Sequence, residues 1–145
     1  VLAPTAGFGL RVSVMLDSNG ANTTAAAAVV AAGRHLDLGT TNALVLGGTG
    51  PVGQRVARLL ARHGGHVRIG SRQKDRAEAV CAAVRAAVSG AKVEAVATAS
   101  SGDGPAALAG RDLVVAAGAP GAVLLPRKHW ETAAVKVLVD LNGVP

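Results

Sequence analysis

The chain has 145 residues, enough for one ordinary domain with a buried core. Half are hydrophobic, almost all of them Ala, Val and Leu, and Phe8 and Trp130 are the sole large aromatics, which removes base stacking as a mode of nucleic-acid recognition. The net charge of +6 is carried without a dense basic run, which argues against DNA and leaves two sources, arginines on solvated helix faces or a preference for a polyanion such as a phosphorylated cofactor.

The first 38 residues read as a connecting segment entering from another domain. Arg11–Leu16 is strand-like. It stops at the polar cluster Asp17, Ser18, Asn19, Asn22, Thr23 and Thr24, and a small-residue helix follows. One of Asp17, Ser18 or Asn19 is expected to cap that helix. Alanine lets the helix pack closely against what comes next.

From residue 39 a second unit begins, running to residue 145. Residues 42–47 form a short apolar strand ending in glycines. Residues 51–64 form a helix with Val52, Val56, Leu59 and Leu60 on one face, stopped by Gly64 and Gly65. Strand 66–72 and helix 73–90 come next, the helix burying Ala77, Val80, Cys81, Val84 and Val88. Strand 91–98, a short helix ending at Ala109, strand 112–118, a helical or turn-like stretch at 124–134 and strand 135–142 complete the pattern. Strands this apolar, alternating with helices, require a parallel sheet covered on both faces. The expected fold is therefore α/β, a doubly wound, Rossmann-like sheet.

Cys81 excludes an intramolecular disulfide, falls on an apolar helix stripe and fits a reducing, cytoplasmic setting. No apolar stretch reaches the roughly 20 residues that span a bilayer, and there is no signal-peptide pattern. His35, His63, His66 and His129 lack metal-ligand spacing, so no metal is expected.

The most informative stretch is LVLGGTGPVGQRV. Gly48-x-Gly50-x-x-Gly53 follows a predicted strand and opens a predicted helix, the context that a dinucleotide fingerprint needs. Gly48 is assigned to the tight turn, Gly50 to close approach of the pyrophosphate and Gly53 to helix–strand packing. Thr49, Pro51 and Val52 complete the cradle, with Pro51 as the first helical residue, where its missing N–H costs nothing. The helix N-terminus presents free N–H groups and a positive dipole end to the phosphates. At the end of the second strand an acidic residue would select NAD. Here Ser71, Arg72 and Lys74 stand instead, a set suited to a 2′-phosphate, so NADP is the expected cofactor. Arg72 has a second option, lying flat on the adenine. After the fourth strand, Ala117 and Gly118 keep side chains small where the nicotinamide half would pass, or simply make a tight turn. Asp140 and Asn142 stand at the end of the fifth strand, on the same edge.

Five stretches together, VSVMLDSNGANTTAAAAV, LVLGGTGPVGQRVARLLA, IGSRQKDRAEA, LVVAAGAPGAVLLP and VLVDLNGVP, resemble the bacterial NADP-dependent methylene-tetrahydromethanopterin dehydrogenases and their relatives that use methylene-tetrahydrofolate. The resemblance covers about residues 8–145. It implies oxidation of a reduced pterin from the methylene to the methenyl form, a two-domain architecture with a cleft, and homo-oligomers. It makes residues 1–38 the edge of a pterin-binding domain, most of which, with a lysine-bearing C-terminal stretch, is expected outside this chain. It makes Asp17 the candidate catalytic group and Asn19, Asn22 and Thr23 candidates for substrate contacts. It places Asn142 among the cofactor contacts. A shikimate-type two-domain dehydrogenase, a non-catalytic NADP-binding module and a structural remnant are the alternatives. Residues 1–38 contain no lysine for the Lys–Asp pair that the first would need.

Overall fold

Five parallel strands form one sheet in a computed structural model that describes Asp17, residues 19–100 and residues 102–143. The expected strand Arg11–Leu16, and Ser18, lie outside the described residues. In chain order the elements are α1 (Ala21–Gly33), β1 (Asn42–Leu46), α2 (Pro51–Arg62), β2 (His66–Ser71), α3 (Lys74–Ala87), β3 (Lys92–Ala97), α4 (Asp103–Leu108), β4 (Leu113–Ala116), α5 (Arg127–Trp130) and β5 (Val137–Asp140). The strand order is β3-β2-β1-β4-β5, so β1 is central and the direction of winding reverses between β1 and β4. This is the doubly wound α/β sheet expected from the sequence.

Strand β1 shows why its sequence is apolar throughout. Ala43 and Val45 face a core built with Val56 and Leu60 of α2 and Val67 and Ile69 of β2. Leu44 and Leu46 face the other side, against Ala107 and Leu108 of α4 and Val114 of β4. Leu44 and Val45 are fully buried, and burial of a side chain of this size stabilises by about 1.5–3 kcal/mol.

Helix α2 buries Gly53, Val56, Ala57, Leu60 and Ala61, the i, i+3, i+4, i+7, i+8 stripe of a core-facing helix. Val52 and Leu59, expected on that face, stand at its margin, half-buried. In α3 the buried stripe is Ala77, Val80, Cys81 and Val84. Val88 has already left the helix with extended backbone. Burial pushes the Cys81 thiol above its ordinary range, as befits an inert core residue.

Helix α1 packs beside α2 on the same face of the sheet. Ala25, Ala28, Val29 and Ala32 join the larger core directly. The stretch 124–134, expected to be helical or turn-like, contains only the four-residue α5. Pro126 is the reason: it disfavours helical backbone at the residue before it, and Leu124 and Leu125 instead pack against the smaller core. No described helix is long and apolar enough to cross a membrane.

Candidate cofactor site

At the carboxyl ends of the strands, the loop from β1 to α2 makes a tight cradle. Gly48 N–H donates to Gly70 C=O at 3.0 Å, which fixes the loop to the end of β2, and Gly50 N–H donates to Gly47 C=O at 3.0 Å. The left-handed residue here is Gly47, with φ +66°, and not Gly48. The tight-turn role assigned to Gly48 therefore belongs to Gly47, whose absent Cβ would also lie 2.7 Å from Ala117 O. Gly48 is required for a different reason, since a Cβ there would sit 2.6 Å from Ile69 Cγ2. At Gly53 a Cβ would fall 2.5 Å from Gly47 O, so helix and loop touch backbone to backbone. Gly50 has more room, its nearest neighbour being Gly47 O at 3.3 Å.

Helix α2 opens from Gly50 with Pro51 at its first position and no side-chain cap on its N-terminus. That leaves its N–H groups and dipole to an anion. The cradle opens onto a groove of about 1090 Å³ that runs along the sheet edge over the reversal point. Thr49, Gly50 and Pro51 line its middle, Ser71 and Arg72 one end, and Ala117 and Gly118 the other. Val52, Gly48 and Gly53 stand behind this lining, supporting it.

Ser71 is buried, and its Oγ accepts from Gln73 N–H at 3.2 Å, which shapes the entry to α3. Arg72 is exposed and borders the groove. Lys74 does not border it; the second cation on the groove is Arg76, with Gln73 between the two arginines. Arg76 stands in the first turn of α3 and Arg72 just before the helix, an arrangement that no spacing in the sequence signals. Thr98 and Ala99, just past β3, complete this end. Among the described residues, no acidic side chain lines the groove. Two guanidiniums, a hydroxyl and an uncapped helix N-terminus, with no carboxylate among them, form an anion-selective surface. It fits the phosphates of NADP.

The polar head of α1 lies beside this cradle. Arg55 of α2 donates through Nε to Asn22 Oδ1 and through Nη1 to Pro51 C=O at 2.7 Å. The first turns of α1 and α2 are thus tied at one edge of the sheet. Asp17 accepts from Asn22 N–H and Thr23 N–H, each at 2.9 Å, and from the Thr23 hydroxyl at 2.7 Å. Those bonds, the Thr23 hydroxyl first, hold its carboxyl below the usual carboxylate range. Asn19 Oδ1 accepts from Ala21 N–H at 3.1 Å. The N-cap residue of α1 is Gly20, and Asp17 and Asn19, ahead of it, satisfy the first N–H groups of the helix. Asp17, Asn19, Asn22 and Thr23 are gathered in one place, next to the groove but not in its lining.

The model of the saccharopine dehydrogenase NADP binding domain matches residues 43–122, from β1 through the cradle, the arginine pair and the loop after β4. The chain belongs to this family. The family is an NADP-binding one, and the domain is of the oxidoreductase type. A bifunctional protein, MdtA, from Methylorubrum extorquens is 41% identical over 140 residues, which cover 93% of this chain and 48% of that protein. The chain spans about half the length of this curated relative. Among solved structures, a dipicolinate synthase from Bacillus halodurans superposes with a TM-score of 0.56 at 24% identity, over 76% of this chain and 36% of that one. An L-alanine dehydrogenase gives 0.57 at 22% identity, over 84% and 36%. These two likenesses bear on the fold. Among the described residues no group of His, Cys, Asp or Glu is placed to hold a metal.

Proposed function

We propose that the chain is the NADP-binding half of an enzyme that oxidises a methylene-tetrahydropterin, carried on methanopterin or folate, to the methenyl form by direct hydride transfer. The observation that carries this reading is the polar head of α1, bonded through Asn22 and Arg55 to the helix that opens the phosphate cradle. The motifs that resemble the methylene-tetrahydromethanopterin dehydrogenases, and 41% identity to the bifunctional protein MdtA, support it.

When bound, NADP supplies nicotinamide C4 as the hydride acceptor. The chain's own residues bind and orient. Thr49, Gly50 and the N-terminus of α2 take the pyrophosphate, while Ser71, Arg72 and Arg76 take the 2′-phosphate. Ala117 and Gly118 allow close passage of the redox half. The carbon that loses hydride lies between two pterin nitrogens, which stabilise the cation left behind, so no side chain has to remove a proton. Orientation and exclusion of water do most of the work. In this reading Asp17, ionised and fixed by its three donors, provides a negative charge near the developing cation. Asn19, Asn22 and Thr23 present polar groups toward the substrate side.

The test is NADPH formation by the full-length protein, assayed with methylene-tetrahydromethanopterin and methylene-tetrahydrofolate. Turnover with at least one is expected, and inactivity with both would refute the substrate class. Asp17→Asn should lower kcat more than it raises KM for the pterin.

A further inference from the structure

Asn142 carries an unmet hydrogen-bonding demand. It is only 4% exposed, and neither its Nδ2 nor its Oδ1 has a partner among the described residues. Its backbone, by contrast, is tied on both sides. The N–H donates to Asp140 Oδ1 at 2.8 Å, and the C=O accepts from Gly121 N–H at 3.0 Å. A buried primary amide with both functions unpaired costs free energy in every molecule that folds. Such groups are rare, and each calls for a partner that the free chain does not supply.

The surroundings name the ligand. Asn142 borders a second cavity of about 490 Å³ on the β5 side of the reversal point. That cavity shares Leu46, Ala122, Val123 and Leu124 with the cofactor groove, so the two are continuous. Its remaining walls are largely apolar, Val114 and Trp130 among them. The arginine pair sits at β2, on the far side of the cradle from β5, so a dinucleotide with its 2′-phosphate on the arginines extends its other end toward β5. That end is a flat ring bearing a carboxamide, one donor and one acceptor. An asparagine side chain is the complementary donor–acceptor pair.

We propose that Asn142 recognises the nicotinamide carboxamide, Nδ2–H donating to the carboxamide oxygen and Oδ1 accepting from its N–H. This rests on the reading of the groove as an NADP site. Both amide atoms are closed to solvent in this structure. Ala119–Val123 is exposed along its whole length and bonded to Asn142 through Gly121, and it is the segment that must shift for the ring to reach the amide.

The experiment is titration of the 145-residue chain with three ligands: NADP, its 3-acetylpyridine analogue, which lacks the amide N–H, and 2′-phospho-ADP-ribose, which lacks the ring. Wild type should bind NADP roughly tenfold tighter than the acetylpyridine analogue, the loss of one buried hydrogen bond. Asn142→Leu should lose roughly tenfold or more for NADP, lose the discrimination between the two rings, and bind 2′-phospho-ADP-ribose unchanged. Its unfolding temperature without ligand should not fall, because no bond of the free protein has been removed. Equal loss for all three ligands, or a large drop in the unfolding temperature, would make Asn142 structural and overturn the proposal. So would wild-type indifference to the acetyl substitution, a comparison that needs no variant. Failure of wild type to bind 2′-phospho-ADP-ribose would instead overturn the groove reading, and the assignment with it.

Discussion

Arg72 and Arg76 border the same end of a groove that has no carboxylate in its lining among the described residues, and the proposed NADP site puts the choice of NADP over NAD there. Losing a charged hydrogen bond costs about 1.5–3 kcal/mol, or roughly 10- to 150-fold in affinity. Arg72→Ala and Arg76→Ala should each weaken NADP by that order and leave NAD nearly unchanged in parallel titrations, whereas Lys74→Ala should do little. Equal losses for NADP and NAD in the Arg72 variant would mean that this side chain lies on the adenine instead. The glycines separate by a second experiment. Gly50 has φ −76° and ψ 167°, backbone open to any residue, and a Cβ there would meet Gly47 O at 3.3 Å, a tight contact but not a clash. Gly50→Val should keep the fold and abolish binding of either dinucleotide. Gly53→Val drives a side chain into Gly47 O. It should cost stability itself, about 1–3 kcal/mol or more for overpacking, seen as a lowered urea midpoint. At this scale the sequence was only partly legible. Two adjacent glycines look alike in the sequence, and only the folded loop reveals that Gly47 takes the positive φ while Gly48 answers to Ile69. Lys74 is nearer to Ser71 in sequence than Arg76 is, but only the geometry at the start of α3 decides which side chain meets the groove.

Parallel strands buried on both faces read as continuous apolar runs, and for that reason β1 and β4 were visible in the sequence, as were α2 and α3 by their stripes; β2, β3 and β5 were placed by the strand–helix alternation. The stretch 124–134, expected to be helical or turn-like, holds only the four-residue α5, because Pro126 disfavours helical backbone at the residue before it. The strands are also joined at their amino ends. Asp112 accepts from Asn42 N–H at 3.1 Å and Asn42 Nδ2 at 3.3 Å, and pairs with Lys136 Nζ at 2.8 Å, linking the starts of β1, β4 and β5. Lys136 first, then the Asn42 backbone, holds the Asp112 carboxyl below its ordinary range. Because the folded-state value is depressed, the unfolded chain binds the proton more readily. The contribution is fully present above an ordinary carboxylate value of about 4 and is lost as pH falls through the lower folded value. Glu94, held down first by its bond from Arg68, acts in the same direction. Asp112→Asn should flatten the acid limb of stability against pH in urea titrations, and Asp112→Ala should cost about 1–2 kcal/mol near neutrality. An unchanged acid limb in Asp112→Asn would show that this joint does not contribute.

The whole molecule is organised around the reversal between β1 and β4. The phosphate cradle lies there, the arginines lie toward β2, and the apolar cavity with Asn142 lies toward β5. Helix α1 adds its alanine face to the same core and brings its capped polar head to the same edge. The net charge of +6 is thus not only a solvated surface, since two of its arginines line the ligand groove. The measurement that bears most directly on this account is calorimetric titration of the 145-residue chain with NADP and with NAD under identical salt. The account predicts saturable one-to-one binding of NADP at least about tenfold tighter than NAD, with the preference abolished in Arg72→Ala/Arg76→Ala. Equal affinity for both dinucleotides, or no binding of NADP, would contradict it.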